Sequence, residues 1–262
     1  MLLSAVERWL DVLYIGVEGT SLRQEDRRKA VEVTAVLEEI DREARRISAR
    51  APLVLVDAAA GKSYVGLLAA KLVLEPLGRE ARVVTLERQA ERVTASERAA
   101  ARLASVVPVE CRRAEVSEPH AWPDSPSIVV ALHACGPAAD DIIDVSVAAR
   151  ARTLLLVPCC TSDAVPAAAL AAQLAAGVGI PRHAPVRRRF LQSVVDAERT
   201  WRLEAAGYET EVVEMVGATV TPHNLLWRAR SVGEPVRMAA AARQLEQLRA
   251  AAGVLSAGPG RS

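Results

Sequence analysis

Two spacings of apolar residues divide this chain. In the first fifty residues, Val6, Leu10 and Leu13, then Val31, Val33, Val36, Leu37 and Ile40 within RRKAVEVTAVLEEIDREARRI, recur at helical intervals without strand-like alternation. Residues 1–50 are therefore expected to form a helical cap. From residue 52 the pattern changes to short, largely β-branched runs: LVLVD (53–57), RVVTLE (82–87), VPVECRRAE (107–115), SIVVALH (127–133) and TLLLVP (153–158). Between them lie SYVGLLAAKLVLEPLG, QAERVTASERAAARLAS and AADDIIDVSVAARA, each long enough for a crossover helix. Repeated β-α units of this kind specify an α/β fold with a parallel, doubly wound sheet that takes ligands at the carboxyl ends of its strands.

Beyond a basic connector, GVGIPRHAPVRRRF, a helix is expected over LQSVVDAERTWRLEAAG (191–207), followed by strand-like YETEVVEMV (208–216) and NLLWRAR (224–230). Only seven residues separate these two runs, too few for a parallel crossover, so they must pair antiparallel. The expected sheet has seven strands, five parallel and two in a terminal hairpin, within residues 51–232. Residues 233–262 then supply a C-terminal helix, MAAAARQLEQLRAAAGVL, and a disordered tail, SAGPGRS.

Composition narrows the function classes. Half of the 262 residues are apolar but only 3% are aromatic, so Ala, Leu and Val fill the core, as suits helices packed closely on a parallel sheet. Lys plus Arg number 33 against 32 Asp plus Glu, a formal charge of +1, which provides no global field for a polyanion. No apolar run reaches the roughly 18–20 residues that span a bilayer, and acids interrupt MLLSAVERWLDVLY. A soluble cytoplasmic protein without a membrane partner is expected. Cys111, Cys135, Cys159 and Cys160 do not have the look of a disulfide framework.

The stretch DAAAGKSY (57–64) resembles the end of a phosphate-binding loop, but Val56 occupies the first glycine position and Asp57 would stand at the mouth of the loop. Both features argue against a bound triphosphate. The alternative is a nucleoside site: Asp57 at the strand end, then Ala58, Ala59, Ala60, Gly61 and Ser63 as a small-residue turn permitting close approach. Glu87 ends the next strand, where an acid accepts hydrogen bonds from ribose hydroxyls, and Glu115 ends the third, where it meets an adenine amino group. An ordinary tight turn is the plainer reading of the same residues.

ALHACGPAAD (131–140) and LLLVPCCTS (154–162) form a second group, gathering His133, Cys135, Cys159 and Cys160 if their strands are neighbours. Three readings stay open. The cysteines serve as small apolar residues, His133 acts as a general base or a thiolate reacts directly, or the group binds zinc, although C-x-x-C spacing is absent. In VTPHNLLWRAR, His223 and Asn224 either reach the site as catalytic groups or, with Pro222, simply close the hairpin. Arg182, Arg187, Arg188 and Arg189 form a basic cluster that either grips a phosphate or carboxylate of the substrate or is a solvated face.

Taken in order, LVDAAAGKSYVGLLAAKLV, VALHACGPAAD, LLLVPCC, DAERTWRLEAAGYETEVVEMV and TPHNLLWRAR resemble a family of class I S-adenosylmethionine-dependent methyltransferases over about residues 50–232. That family includes bacterial proteins of unassigned substrate and the methyltransferase domain of glutathione S-transferase C-terminal domain-containing proteins. More distantly, the His-x-Cys-Gly and Cys-Cys pair is similar to tRNA ribose 2′-O-methyltransferases of the acceptor stem. The resemblance implies a Rossmann-like fold and S-adenosyl-L-methionine as cofactor. It implies donor contacts from Asp57 to Tyr64, including Ala59, Gly61 and Ser63, from Glu87, and from Leu132 to Cys135, with Asp196 and Arg199 matching a helix motif and Pro222 and Asn224 the hairpin. Ala59 stands where glycine is usual and His223 where Lys is expected. The acceptor is read as a small molecule or peptide, touched by Cys160, Arg188 and Arg189. RNA methylation and a non-catalytic binding module are the alternatives.

Overall fold

The computed structural model describes residues 1–160 and 162–256. Seven strands form one sheet: β1 (Leu53–Ala58), β2 (Ala81–Glu87), β3 (Val109–Arg113), β4 (Ile128–Cys135), β5 (Thr153–Cys160), β6 (Tyr208–Glu214) and β7 (Leu225–Ser231). Their order is β3-β2-β1-β4-β5-β7-β6. The first five pair in parallel, whereas β7 runs antiparallel to both β5 and β6. The seven-stranded Rossmann-like sheet read from the spacing of apolar runs is therefore present. The order reverses at β1, so β1 and β4 flank the crevice where such sheets take ligands.

Alternation along the strands sorts side chains into two layers. Leu53, Leu55, Val83, Ile128, Val130, Leu155 and Val157 face helices α1 (Leu2–Leu10), α2 (Gln24–Arg46), α3 (Tyr64–Ala69) and α4 (Ala90–Leu103) in one core. Val56, Val84, Leu86, Val129, Ala131, Leu154, Leu156 and Trp227 face α5 (Ala138–Ala148) and Leu203 of α7 (Ala184–Ala205) in the other. A third cluster joins α6 (Ala168–Gly177) and α7 to α8 (Pro235–Ser256) through Ala171, Leu174, Val194, Val195 and Leu248.

The cap shares the first of these cores, with Val33, Val36, Leu37 and Ile40 of α2 all fully buried. Its acids anchor it to the hairpin: Glu39 accepts from Arg228 at 2.8 Å and Glu43 from Arg230 at 2.8 Å.

Several boundaries differ from the sequence reading. β3 is five residues long, ending at Arg113, so Glu115 lies in the loop beyond it. The basic connector is not a loop throughout: α7 begins at Ala184, with Pro185 in its first turn, because proline presets helical φ where no donor is needed. The C-terminal helix is largely exposed, yet Ala241 is buried. Residues 257–262 of the predicted tail lie outside the described residues.

The expectation that the cysteines are not disulfide-bonded is corrected, since Cys135 and Cys159 are bonded, with Cα atoms 5.3 Å apart. Irregular register around Ala134 breaks the regular pairing of β4 with β5 there. That shift, invisible in linear spacing, puts the two Cα atoms within disulfide reach. Cys111 is free and half-buried.

Candidate active site

At the carboxyl ends of the parallel strands lies a cleft of about 310 Å³. Ala59 lines it after β1; Leu86, Glu87, Gln89 and Arg92 after β2; Ala114, Glu115 and Val116 after β3; His133, Cys135, Pro137 and Asp141 after β4. Its volume is at the lower end of the roughly 300–1,000 Å³ usual for small-molecule pockets.

Glu87 organises one side. Its side chain is 7% exposed, and its two oxygens accept from Gly61 N–H and Gln89 N–H, each at 2.9 Å. Arg92 approaches at 3.9 Å. Carboxylate oxygens have further lone pairs, so Glu87 retains acceptor capacity towards the cleft. Behind it Asp57 is buried and accepts from Gly66 N–H at 2.8 Å. Burial pushes the Asp57 carboxyl up to about 7, against the Gly66 hydrogen bond and with the charge of Glu87 adding to the rise.

The loop between these acids takes left-handed φ at Ala59 (55°), Gly61 (60°) and Ser63 (58°). Gly66 is required for a different reason. A Cβ there would lie 2.9 Å from Thr85 Cγ2 and 3.0 Å from Asp57 Oδ2, so glycine lets α3 sit directly on β1 and β2. Ser63 is buried, and its hydroxyl has no partner among the described residues. Tyr64 points away from the cleft region, packing edge-on against Tyr14 of the cap with ring centres 4.6 Å apart.

On the other side, His133 adopts φ 65°, a conformation costing on the order of 1–3 kcal/mol for a non-glycine residue. Its Nε2 lies 2.8 Å from Glu32 Oε2 of α2. Burial would raise the Glu32 carboxyl, but hydrogen bonds from His133 and Lys29 outweigh it and hold the group below the usual carboxylate range. Burial and the charges of Asp140, Asp144 and Glu115 raise Asp141. Beneath it, Asp140 is buried and receives Arg199 of α7 at 2.7 Å and Arg202 at 2.9 Å, while Arg202 also meets Asp144.

Of the residues named from sequence, Ala59, Glu87, Glu115, His133 and Cys135 line the cleft. Asp57, Gly61, Ser63 and Tyr64 shape its loop without lining it, and Leu132 packs towards the core. His223 and Asn224 do not line it. His223 is exposed, and its N–H donates to Thr221. Buried Asn224 donates to Val216 O at 2.9 Å and its carbonyl accepts from Met215 N–H, which is turn chemistry. The β6–β7 turn is at the correct edge, but β5 lies between β7 and β4, which puts the turn about 10 Å from β4 at ordinary strand spacing. Arg188 lines a neighbouring cavity and Arg189 does not. The side chain of Cys160 lies outside what is described, and among the described residues no cluster of His, Cys, Asp and Glu has metal-binding geometry.

Sequence reasoning missed Glu32, Asp140, Asp141 and Gly66. For Glu32 a faint signal exists: with Glu39 and Glu43 it recurs at seven- and four-residue steps beside the apolar stripe of α2.

A switch-point crevice with an acid at the end of β2 defines a Rossmann-like, nucleoside-binding enzyme. Residues 28–165, more than half of the chain, match the family model described as Methyltransferase domain, and the chain belongs to that family. No curated protein matches it in sequence. Similar solved structures include magnesium protoporphyrin IX methyltransferase (ChlM) from Synechocystis PCC 6803 with bound SAH, at 13% identity and TM-score 0.48, covering 87% of this chain and 94% of that one. The SAH-bound Podospora anserina methyltransferase PaMTH1 is 10% identical with TM-score 0.49, covering 88% of each. A putative caffeoyl-CoA O-methyltransferase from Staphylococcus aureus is 10% identical with TM-score 0.47, covering 88% and 93%. No helix among the described residues is long and apolar enough to cross a membrane.

Proposed function

We propose that this protein is an S-adenosylmethionine-dependent methyltransferase whose donor occupies the 310 Å³ cleft and whose acceptor is a small molecule. The observation that carries this is Glu87, a shielded carboxylate fixed by two backbone N–H groups at the mouth of a nucleoside-sized crevice. The residues fit the donor: Glu87 accepts ribose hydroxyls, Leu86, Ala114 and Val116 flank an adenine, and Glu115 meets its amino group. S-Adenosylmethionine supplies a methyl group activated on sulfonium, which leaves the protein chiefly the tasks of alignment and proton removal.

His133 is the proton acceptor in this reading. Glu32, held ionised, takes the hydrogen bond of Nε2–H and thereby leaves the lone pair on Nδ1. Glu32 acts through His133 and is a positioning residue. Asp57 holds the start of α3 through Gly66 and contacts no ligand itself.

Calorimetric titration with S-adenosylhomocysteine tests the donor site. Binding is expected for the native chain, and Glu87→Ala should weaken it about tenfold to a hundredfold, the loss of one or two hydrogen bonds to a charged group. Absence of heat at high micromolar ligand with the folded native protein refutes the assignment. With labelled donor and fractionated metabolites, label should enter the small-molecule fraction and not RNA.

A further inference from the structure

A second cavity, of about 390 Å³, opens beside the donor cleft. Gly136 stands between them: its neighbours Cys135 and Pro137 line the cleft, and a Cβ on Gly136 would lie 3.5 Å from the hydroxyl of Ser162, which lines the second cavity. Two features of the cavity point to an anion.

The first is a set of uncompensated charges. Arg182, Arg187 and Arg188 all line it, and among the described residues none of the three is ion-paired. The arginines of the α5–α7 contact and the hairpin are, by contrast, closely neutralised: Arg199 meets Asp140 at 2.7 Å, Arg228 meets Glu39 at 2.8 Å and Arg230 meets Glu43 at 2.8 Å. Among the described residues Asp163 is the sole acid on the wall. The second is the helix end. Ala184, the first residue of α7, lines the same space, and this 22-residue helix has no acid in its first turn, so its N-terminal partial charge adds to the arginines.

Ala168, Ala172, Leu191 and Val195 make the wall otherwise mostly apolar, and among the described residues no aromatic ring lines it. Single-stranded nucleic acid binds through aromatic stacking platforms along a basic groove, and this wall, ring-free among the described residues, provides no such platform. We infer that the cavity is the acceptor site and that the acceptor is a small amphipathic acid, its carboxylate or phosphate gripped by Arg187 and Arg188 and its apolar body laid on the alanine and leucine wall. This rests on the reading of the neighbouring cleft as the donor site.

Octyl phosphate and octanoate, with n-octanol as the uncharged control, are the probes, titrated calorimetrically in the presence of saturating S-adenosylhomocysteine. Both anions should bind and octanol should not. Arg187→Ser/Arg188→Ser should weaken octyl phosphate about tenfold or more, as expected for loss of charge-assisted hydrogen bonds. Asp163→Asn should tighten it. Among the described residues these side chains make no ion pairs, so melting temperature and S-adenosylhomocysteine affinity should stay at native values in both variants. Equal binding of octanol, or unchanged octyl phosphate affinity in the double variant, overturns the anion site. Displacement of octyl phosphate by a short RNA, with steep salt dependence, overturns the small-molecule acceptor in favour of nucleic acid. If S-adenosylhomocysteine itself gives no heat with the native chain, the donor reading and the acceptor role fall together, and the anion titrations still decide whether the cavity binds acids.

Discussion

Ala59 takes φ 55° at the lip of the donor cleft, a conformation in which a Cβ costs about 1 kcal/mol. Ala59→Gly removes that strain but adds chain entropy of similar size, so melting temperature should barely move. S-Adenosylhomocysteine should bind more tightly as the methyl leaves the cleft wall, and calorimetry showing equal or weaker binding refutes crowding at this position. His133 presents a different case, because its role depends on a partner 101 positions away. His133→Ala is expected to lower kcat by about 10²–10⁴, the range for loss of a general base. Glu32→Gln should lower kcat less and leave donor affinity within about twofold, and steady-state kinetics beside calorimetry separates the two effects. At this scale the strand-end carboxylate Glu87 was legible because the βα pattern fixes where strand ends fall. Glu32 was not, since a single acid on a long helix carries no mark of what it faces.

Among the elements, α5 and α7 are joined by charge as well as by packing. Arg199 is fully buried, hydrogen-bonded to Asp140 and 3.7 Å from Asp196. Arg199→Met leaves buried Asp140 to Arg202 alone and should destabilise the fold by about 1–3 kcal/mol, the cost of stripping hydrogen bonds from a buried polar group, read by denaturant unfolding. A loss below 1 kcal/mol would show that the network contributes little. The start of α7 differs from the sequence reading because its arginines mimic a solvated loop, while Pro185 sits in the first turn of the helix. The Cys135–Cys159 bond escaped a reading based on linear spacing, because it depends on the irregular register beside Ala134.

For the molecule as a whole, Asp57 ties stability to pH. Its carboxyl is raised from 3.8 to about 7 in the folded chain, so folding favours the protonated form. That stabilisation is complete below about pH 4 and is lost as pH rises through 7. Between pH 6 and pH 8 the native chain should lose about 1 kcal/mol from this group, whereas Asp57→Asn should flatten the dependence. Parallel thermal melts at the two pH values check it, and identical pH dependence in both proteins refutes the assignment.

The alternation of apolar runs with helical stretches determined the α/β class, the parallel strands and the antiparallel hairpin, because strand and helix periods and crossover lengths are local properties. Those same local rules placed acids at the ends of β1 and β2. What only the tertiary structure decided is which distant groups meet: α2 lying across the sheet to bring Glu32 to His133, Asp140 beneath Arg199, three arginines around one cavity, and Asn224 kept to its hairpin. Such meetings depend on how layers stack and where strands sit in the sheet, and neither is written in the spacing of residues along the chain.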